Sequence, residues 1–424
     1  MKVSAGRVLM LVESQFPGDP RVRNEAFTLV DNGFQVTVIA LRGPGQKPHE
    51  VVNGTSTYRL PRLTLFKKLP DERHSQFWRL LNKVQVVGGY VTEYAYFTLA
   101  CLVVSIYVAF VEGFDAIHAH NPPDTLVVVG AFHRLFGKKF VFDHHDLSPE
   151  LYRSRYGTKH SFISHFLRFF ERASLKLADV AIATNESYRE IDIERNAIAA
   201  DKVFVVRNGP DLKRVRPVDP DPALIKKGCA ILGYLGAMNP QDGLDYLLRA
   251  LRYLAYDLKR TDFYCVLIGS GDSLDELRSL AVKLELQDHV FFTGYIPDAD
   301  MLRYLSSMDI CLDPNPSSPL NDVSTWIKVV EYMAMGKPIV SFDLKETRVS
   351  AGDAAVYVRP NDEAEFARAI SQLIDDPARR RSMGAWGLNR VHTALKWDIT
   401  SRNLLAAYHH LFRKDERNST AAAL

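Results

Sequence analysis

Ser324, Lys328 and Glu331 fall at i, i+4 and i+7 within the stretch Asn321 to Val340, NDVSTWIKVVEYMAMGKPIV. On a helix that spacing stacks a hydroxyl, an ammonium and a carboxylate on one stripe in successive turns. With Ser324 and Thr325 capping the first turn, the unpaired N–H groups and positive dipole end there suit a phosphate. Lys328 would add charge, and Glu331 could accept hydrogen bonds from a ribose diol. The same residues also describe a plain i, i+3 surface ion pair between Lys328 and Glu331, and the stretch alone leaves both readings open.

A second set lies earlier in the chain. The strand-like run DAIHAHN ends at His120 and Asn121, and KKFVFDHHDLSPE ends at His145 and Asp146. Carboxyl ends of parallel strands are where α/β proteins place ligands, so two such ends in succession suggest a polar cleft floor. Arg21 and Arg23 follow Asp19 and Pro20, a cap and first-position pair for a helix running to Gly33. They either aim charge at the cleft edge or are a solvated helix end.

The elements that must position these groups are legible as alternating apolar runs and helices. Trp326, Val329, Val330 and Met333 give the helix that would carry Lys328 and Glu331 a core face, and Gly336 with Pro338 ends it. Strands are expected at Arg7 to Glu13, Val36 to Leu41, Asp115 to His120, Asp179 to Thr184 and Lys202 to Val206. The pattern restarts at Ala230 to Leu235 and continues through Phe263 to Ile268, His289 to Thr293, Ile310 to Asp313, Ile339 to Phe342 and Ala355 to Val358. Between them Arg214 to Asp221, RVRPVDPD, reads as a linker. The domains expected are 1–215, 216–390, and 391–424 for a final helix, Trp397 to Phe412, with a disordered tail after Arg413.

Composition narrows the function classes. The chain has 424 residues, 47% of them hydrophobic, enough for two cores. A net charge of +3 gives no reason to expect a nucleic-acid partner. Cys101, Cys229, Cys265 and Cys311 are scattered, without a CxxC pair or a zinc-type histidine spacing, and read as reduced core residues of a cytosolic protein. The first strand–loop–helix–strand unit lacks GxGxxG, which disfavours a nicotinamide enzyme, and the GSG at 269–271 is too short a signal for more than a tight turn. The N-terminal apolar run has no cleavage site and reads as a strand.

Three segments suggest a membrane surface. Pro61 to Val91 is basic and aromatic. Tyr94 to Val111 is almost wholly apolar and about long enough to span a bilayer, but lacks a basic flank, which favours a buried or membrane-dipping helix. Ser161 to Lys176 sets Phe162, Phe166, Phe169 and Ala173 on one face and Arg168, Arg172 and Lys176 on another, either a basic interfacial helix or a core helix with a solvated face.

EYMAMGKPIV after an NDxST turn resembles the donor-binding segment of retaining nucleotide-sugar glycosyltransferases of the GT-B fold, family four; HHDLSPELY, FPGDPRVRNEA, RNGPD and FFTGYIP are similar to further segments of that family. The resemblance implies an α/β fold of two Rossmann-like lobes with parallel sheets facing across a cleft, and a C-terminal helix crossing back to the first lobe. It matches Glu331 to the second of two glutamates eight residues apart. The first falls on Val323, where adjacent Asp322 could serve. His145 matches the histidine near the donor sugar and acceptor, giving His145, Asp146 and Asp322 as catalytic candidates. The loop starting at Gly236 would hold the diphosphate, although Ala237 and Asp242 stand where the family usually has Arg and Lys. The base would lie against the backbone of Tyr295 and Ile296, and Arg21, Arg23, His120 and Asn121 would face phosphate or acceptor.

The implied function is retaining transfer from a nucleotide diphosphate sugar, a UDP-sugar favoured, to a lipid-linked sugar or glycan acceptor in cell-surface polysaccharide synthesis. No cofactor and no obligatory metal are expected, and the location implied is cytoplasmic, peripheral at the inner membrane. Two alternatives remain: a nucleotide-sugar 2-epimerase of the same fold, and a catalytically weakened homologue that scaffolds an assembly complex.

Overall fold

The computed structural model describes residues 5–63, 76–156, 161–225 and 228–421. Of the basic and aromatic stretch noted in the sequence, Phe66, Lys67, Lys68 and Arg73 lie outside the described residues, as do the side chains of Phe77, Trp78, Arg79 and Lys83. The chain forms two compact units. The first takes the described parts of Met1–Pro149, Thr158–Val206 and Ser401–Leu424, and the second those of Glu150–Gly157 and Arg207–Thr400, including the proline-rich stretch around Pro217.

The first unit is built on eight strands: β1 (Arg7–Gln15), β2 (Gln35–Leu41), β3 (His49–Val52), β4 (Thr55–Leu60), β5 (Ala116–His120), β6 (Lys139–His144), β7 (Val180–Ala183) and β8 (Val203–Val205). Their order is β3-β4-β2-β1-β5-β6-β7-β8, parallel throughout except for the β3–β4 pair. Central strands such as β1 and β5 are buried on both sides because helices cover both faces of the sheet. The hairpin β3–β4 is absent from the sequence reading. Its signal was Asn53-Gly54, which turns with both residues at positive φ, 46° and 80°, and so matches the twist of a two-residue hairpin.

The second unit carries β9 (Ala230–Leu235), β10 (Phe263–Ile268), β11 (Val290–Gly294), β12 (Ile310–Asp313), β13 (Ile339–Phe342) and β14 (Ala355–Val358) in the order β11-β10-β9-β12-β13-β14. The named pairings are all parallel. The helix Ile327–Ala334 follows β12 and buries Val329, Val330, Tyr332 and Met333 in the core shared with Ile310's neighbour Cys311 and with Ile339. Gly336 then takes φ +66°, a turn that a Cβ would strain.

One helix differs from expectation, and for another one of the two readings fails. The last, Trp397–Ala421, carries the chain into the first unit from Ser401 and continues over the segment expected to be a disordered tail. Extending an existing helix fixes one residue per new hydrogen bond, so the Lys, Glu, Arg and Ala there suffice to continue it. For the helix Ser161–Leu177 the core-helix reading fails: Phe162, Phe166 and Phe169 are exposed, while Ser164, Glu171, Ser174 and Leu175 are buried. Polar contacts hold that inner face, since Glu171 accepts from Arg195 and Asn196 and Ser174 Oγ donates to the Asp124 carbonyl.

Cys101, Cys265 and Cys311 are buried, Cys229 is half-buried, and all four are free thiols. Among the described residues one helical stretch, Val91–Val111 of the helix Gln76–Val111, is long and apolar enough to cross a membrane.

Candidate active site

In the second unit the carboxyl ends of β9, β10 and β12 bring three loops to one place. A Cβ on Gly269 would lie 1.9 Å from the Gly236 carbonyl oxygen, and one on Gly243 would lie 2.1 Å from that of Pro314. Only glycine allows this approach, which leaves backbone rather than side chains lining the strand ends. Asp242 is buried and its carboxylate accepts from the Asn239 N–H at 3.0 Å, closing a capping box around Pro240–Asp242. An acidic residue at that position therefore has a structural task, whereas Ala237 is exposed.

The helix Ile327–Ala334 begins without a side-chain cap. Ser324 and Thr325 do not close its first turn as expected. A 3-10 turn, Asn321–Val323, comes first; Ser324 Oγ donates to the Leu320 carbonyl at 2.7 Å and Thr325 Oγ1 bonds Glu346 Oε2 at 3.4 Å. Asp322 is half-buried and accepts from Ser317 Oγ at 3.1 Å. Tyr295 is 87% exposed beyond β11, and Ile296 packs partly into the core.

The Lys328–Glu331 ion pair is not formed. Lys328 is buried, its ammonium bonded to Asn315 Oδ1 and 3.2 Å from Asp313 Oδ1, because the buried Asp313 carboxylate at the end of β12 needs a cation. Its charge is met by Asp313 in this structure. Glu331 instead faces Arg214, 3.6 Å away, which also forks onto Asp298 at 2.6 and 2.9 Å. Burial pushes the Glu331 carboxyl up to about 7, Arg214 pulling it down and Asp298 pushing it further up.

In the first unit the ends of β5 and β6 carry the histidines, and most turn inward. Arg21 is buried and grips Asp143 with two contacts of 2.7 and 2.6 Å, donates to the Val206 carbonyl at 2.9 Å and lies 3.3 Å from Glu25. Its expected position against a ligand phosphate is corrected: two buried carboxylates claim its charge. His120 Nδ1 lies 2.8 Å from Asp143 Oδ2, and His118, stacked on His120 at 4.1 Å, reaches Tyr408 at 2.9 Å. His120 is fully buried, so it too supports the floor rather than lining it. Donor atoms of Glu25, His118, His120 and Asp143 lie within 4.8 Å of one another, a set able to hold a metal ion by residue type; in this structure the Arg21 fork takes both Asp143 oxygens.

Asn121 is also buried, and its Oδ1 accepts from the N–H groups of both His145 and Asp146, at 2.8 and 3.1 Å. Its Nδ2 donates to the Asp146 carbonyl at 2.6 Å and to Asp124 Oδ1 at 3.1 Å. The strand-end turn is thereby fixed with His145 half-buried, its ring 6.2 Å from that of His120. Arg23 is likewise half-buried on the helix Pro20–Asp31, which Asp19 caps by accepting from the N–H groups of Arg21 and Val22. Sequence reasoning missed Glu25, Asp143 and Arg214. A carboxylate inside the apolar run KKFVFDHH, and an Arg21–Glu25 pair at i, i+4, were usable signals for the first two; Arg214, in the presumed linker, offered none.

Two α/β units built on parallel sheets, with the likeness to solved structures given below, define a protein of the GT-B fold. The model of the family described as Glycosyltransferase Family 4 matches residues 21–214, and that described as Glycosyl transferases group 1 matches residues 229–376. The chain belongs to these glycosyltransferases. The D-inositol 3-phosphate glycosyltransferase 1 of Catenulispora acidiphila is 28% identical over 251 residues, 56% of this chain and 59% of that protein. The chain spans little more than half the length of such curated relatives. Sucrose-phosphate synthase of Thermosynechococcus elongatus superposes with a TM-score of 0.73 at 20% identity, covering 96% of this chain and 100% of its own. Anabaena HepE, solved in complex with UDP-glucose, does so at 0.66 and 17%, covering 95% and 99%.

Proposed function

We propose that the protein transfers a sugar from a nucleotide diphosphate sugar, a UDP-sugar in first place, to a lipid-linked sugar or glycan acceptor in cell-surface polysaccharide synthesis, with retention of anomeric configuration. The observation that carries this reading is the uncapped N-terminus of Ile327–Ala334 at the end of β12, with Glu331 one turn further on. Unpaired N–H groups and the helix dipole hold the diphosphate without a metal or cofactor, joined by the backbone of the Gly236 loop, while Glu331 accepts from the ribose and the Tyr295–Ile296 backbone meets the base. Charge that develops on the leaving diphosphate is stabilised by the same dipole, and the diphosphate helps to take the acceptor proton. The acceptor belongs to the first unit, where His145 is the group that touches the reacting sugar.

Titration calorimetry with UDP, GDP, ADP and CDP, in EDTA and in magnesium, tests the reading without knowledge of the acceptor. Selective binding of one nucleotide in EDTA supports it; binding of none overturns it.

A second reading, a weakened homologue that scaffolds an assembly complex, is favoured by one set of observations: Ala237 and Asp242 bring no cation to the phosphate loop, and Lys328 and Arg21 are each committed to buried carboxylates. Nucleotide binding without turnover over a panel of acceptors would put it first.

A further inference from the structure

The helix Val127–Arg134 of the first unit touches both the helix Gln76–Val111 and the helix Ser161–Leu177, so the three form one layer over the sheet. Each turns apolar side chains away from it. On the long helix Phe97, Cys101, Ser105 and Val108 face inward, and the opposite stripe of Leu99, Val103, Tyr107 and Phe110 is 55–88% exposed. Only 28% of its apolar stretch is buried, where a core helix would be mostly covered. Leu135 and Phe136, just past the middle helix, are 81% and 64% exposed, and Phe162 and Phe169 on the third are 81% and 64% exposed. Exposed apolar side chains grouped on neighbouring helices of one layer mark an interaction site.

We propose that this three-helix face seats on the surface of an anionic lipid bilayer. Charge chooses the partner. Arg168, Arg172 and Lys176 are exposed at i, i+4 and i+8, one quarter-turn from the phenylalanines, where cations meet headgroup phosphates while the rings enter the acyl boundary. No acidic side chain interrupts Tyr94 to Val111, and Glu112 beyond it is occupied by hydrogen bonds from Thr37, Ser56 and Tyr58. The long helix lies along the membrane rather than through it, since its inward stripe is held against β1 and β2. This surface is independent of the sugar-transfer reading.

Flotation of the full chain with vesicles of phosphatidylcholine alone, and of phosphatidylcholine mixed with phosphatidylglycerol, tests it. Binding to the anionic vesicles is expected, weakening as salt rises. Phe166→Ser with Phe169→Ser should weaken partitioning at least about tenfold. Arg168→Gln with Arg172→Gln should weaken it about 30-fold at low salt and abolish the preference for phosphatidylglycerol. These side chains point to solvent, so both variants should melt as the wild type does; Leu99→Gln with Val103→Gln is the replacement should either fail to fold. Wild-type protein that stays off anionic vesicles overturns the proposal. So does variant binding equal to wild type, or self-association in sedimentation that the phenylalanine changes abolish, which would assign the face to a second copy of the chain.

Discussion

Arg214 Nη1 stands 3.6 Å from Glu331 Oε1, and that one contact decides how the carboxylate is held. The arginine is anchored by its fork onto Asp298, so it offsets only part of the burial that lifts Glu331 to about 7. A carboxylate poised there changes its hydrogen-bonding character across the neutral range, and this leads to the first prediction.

Affinity for the nucleotide should rise from pH 6 to pH 8 as Glu331 becomes an acceptor-only carboxylate, and Glu331→Gln should flatten the profile and weaken binding by roughly 1.5–3 kcal/mol at pH 8. Stability should move the opposite way. A folded-state value above the ordinary 4.5 favours the native protein fully below 4.5, and the advantage is lost as pH rises to about 7. Urea unfolding at pH 5 and pH 8 should show the wild type losing about 2 kcal/mol more than Glu331→Gln.

His144 gives a second pH dependence in a higher window. Burial lowers its proton affinity, but Asp192 at 2.7 Å, aided by Glu171 and Asp124, raises it to about 9. The stabilisation is complete below 6.5 and lost as pH passes 9. Asp192→Asn should remove most of the decline between those values, about 3 kcal/mol in urea unfolding.

Arg21→Met should destabilise the first unit by about 3–5 kcal/mol, because it leaves Asp143 and Glu25 buried without a cation. Denaturation would read the loss directly. An unchanged unfolding curve with weakened nucleotide binding would instead return Arg21 to the phosphate-binding role.

His145→Ala should abolish transfer while leaving the nucleotide Kd unaltered. Asn121→Ala, which frees the N–H groups of His145 and Asp146, should lower kcat by about tenfold or more with little change in that Kd. Comparing initial rates with calorimetric binding separates the two effects.

Ala237→Arg would restore a cation to an exposed position in the glycine-lined loop. Tightening of UDP binding by about tenfold is expected from one charged hydrogen bond. Unchanged affinity by calorimetry would mean that the loop does not meet the diphosphate.

The fold was legible because apolar strand runs alternating with helices leave few arrangements besides parallel sheets, and β9, β10, β12, β13 and β14 fall at their expected residues. The β3–β4 hairpin was not, because β3 is short and largely exposed, and the strong mark of the pair is Asn53-Gly54. In the candidate site the sequence drew attention to Glu331, on the helix that follows β12, and to His145, just after β6, whereas Lys328 meets Asn315 and Asp313 rather than Glu331.

The sequence by itself determined two α/β units, the glycines that let loop backbones meet, and the helix that follows β12. Only the tertiary structure decided which charges are spent inside. Arg21 meets Asp143 across 122 residues of chain, and Lys328 turns under β12 to Asp313. A buried carboxylate takes whichever cation the fold brings within reach, since leaving it unpaired costs more than any exposed contact returns. Spacing along one helix cannot reveal that choice. The same holds for Ser161–Leu177, where helical periodicity sorted the phenylalanines from the arginines, and packing of Glu171 and Ser174 against their neighbours decided that the phenylalanines face outward.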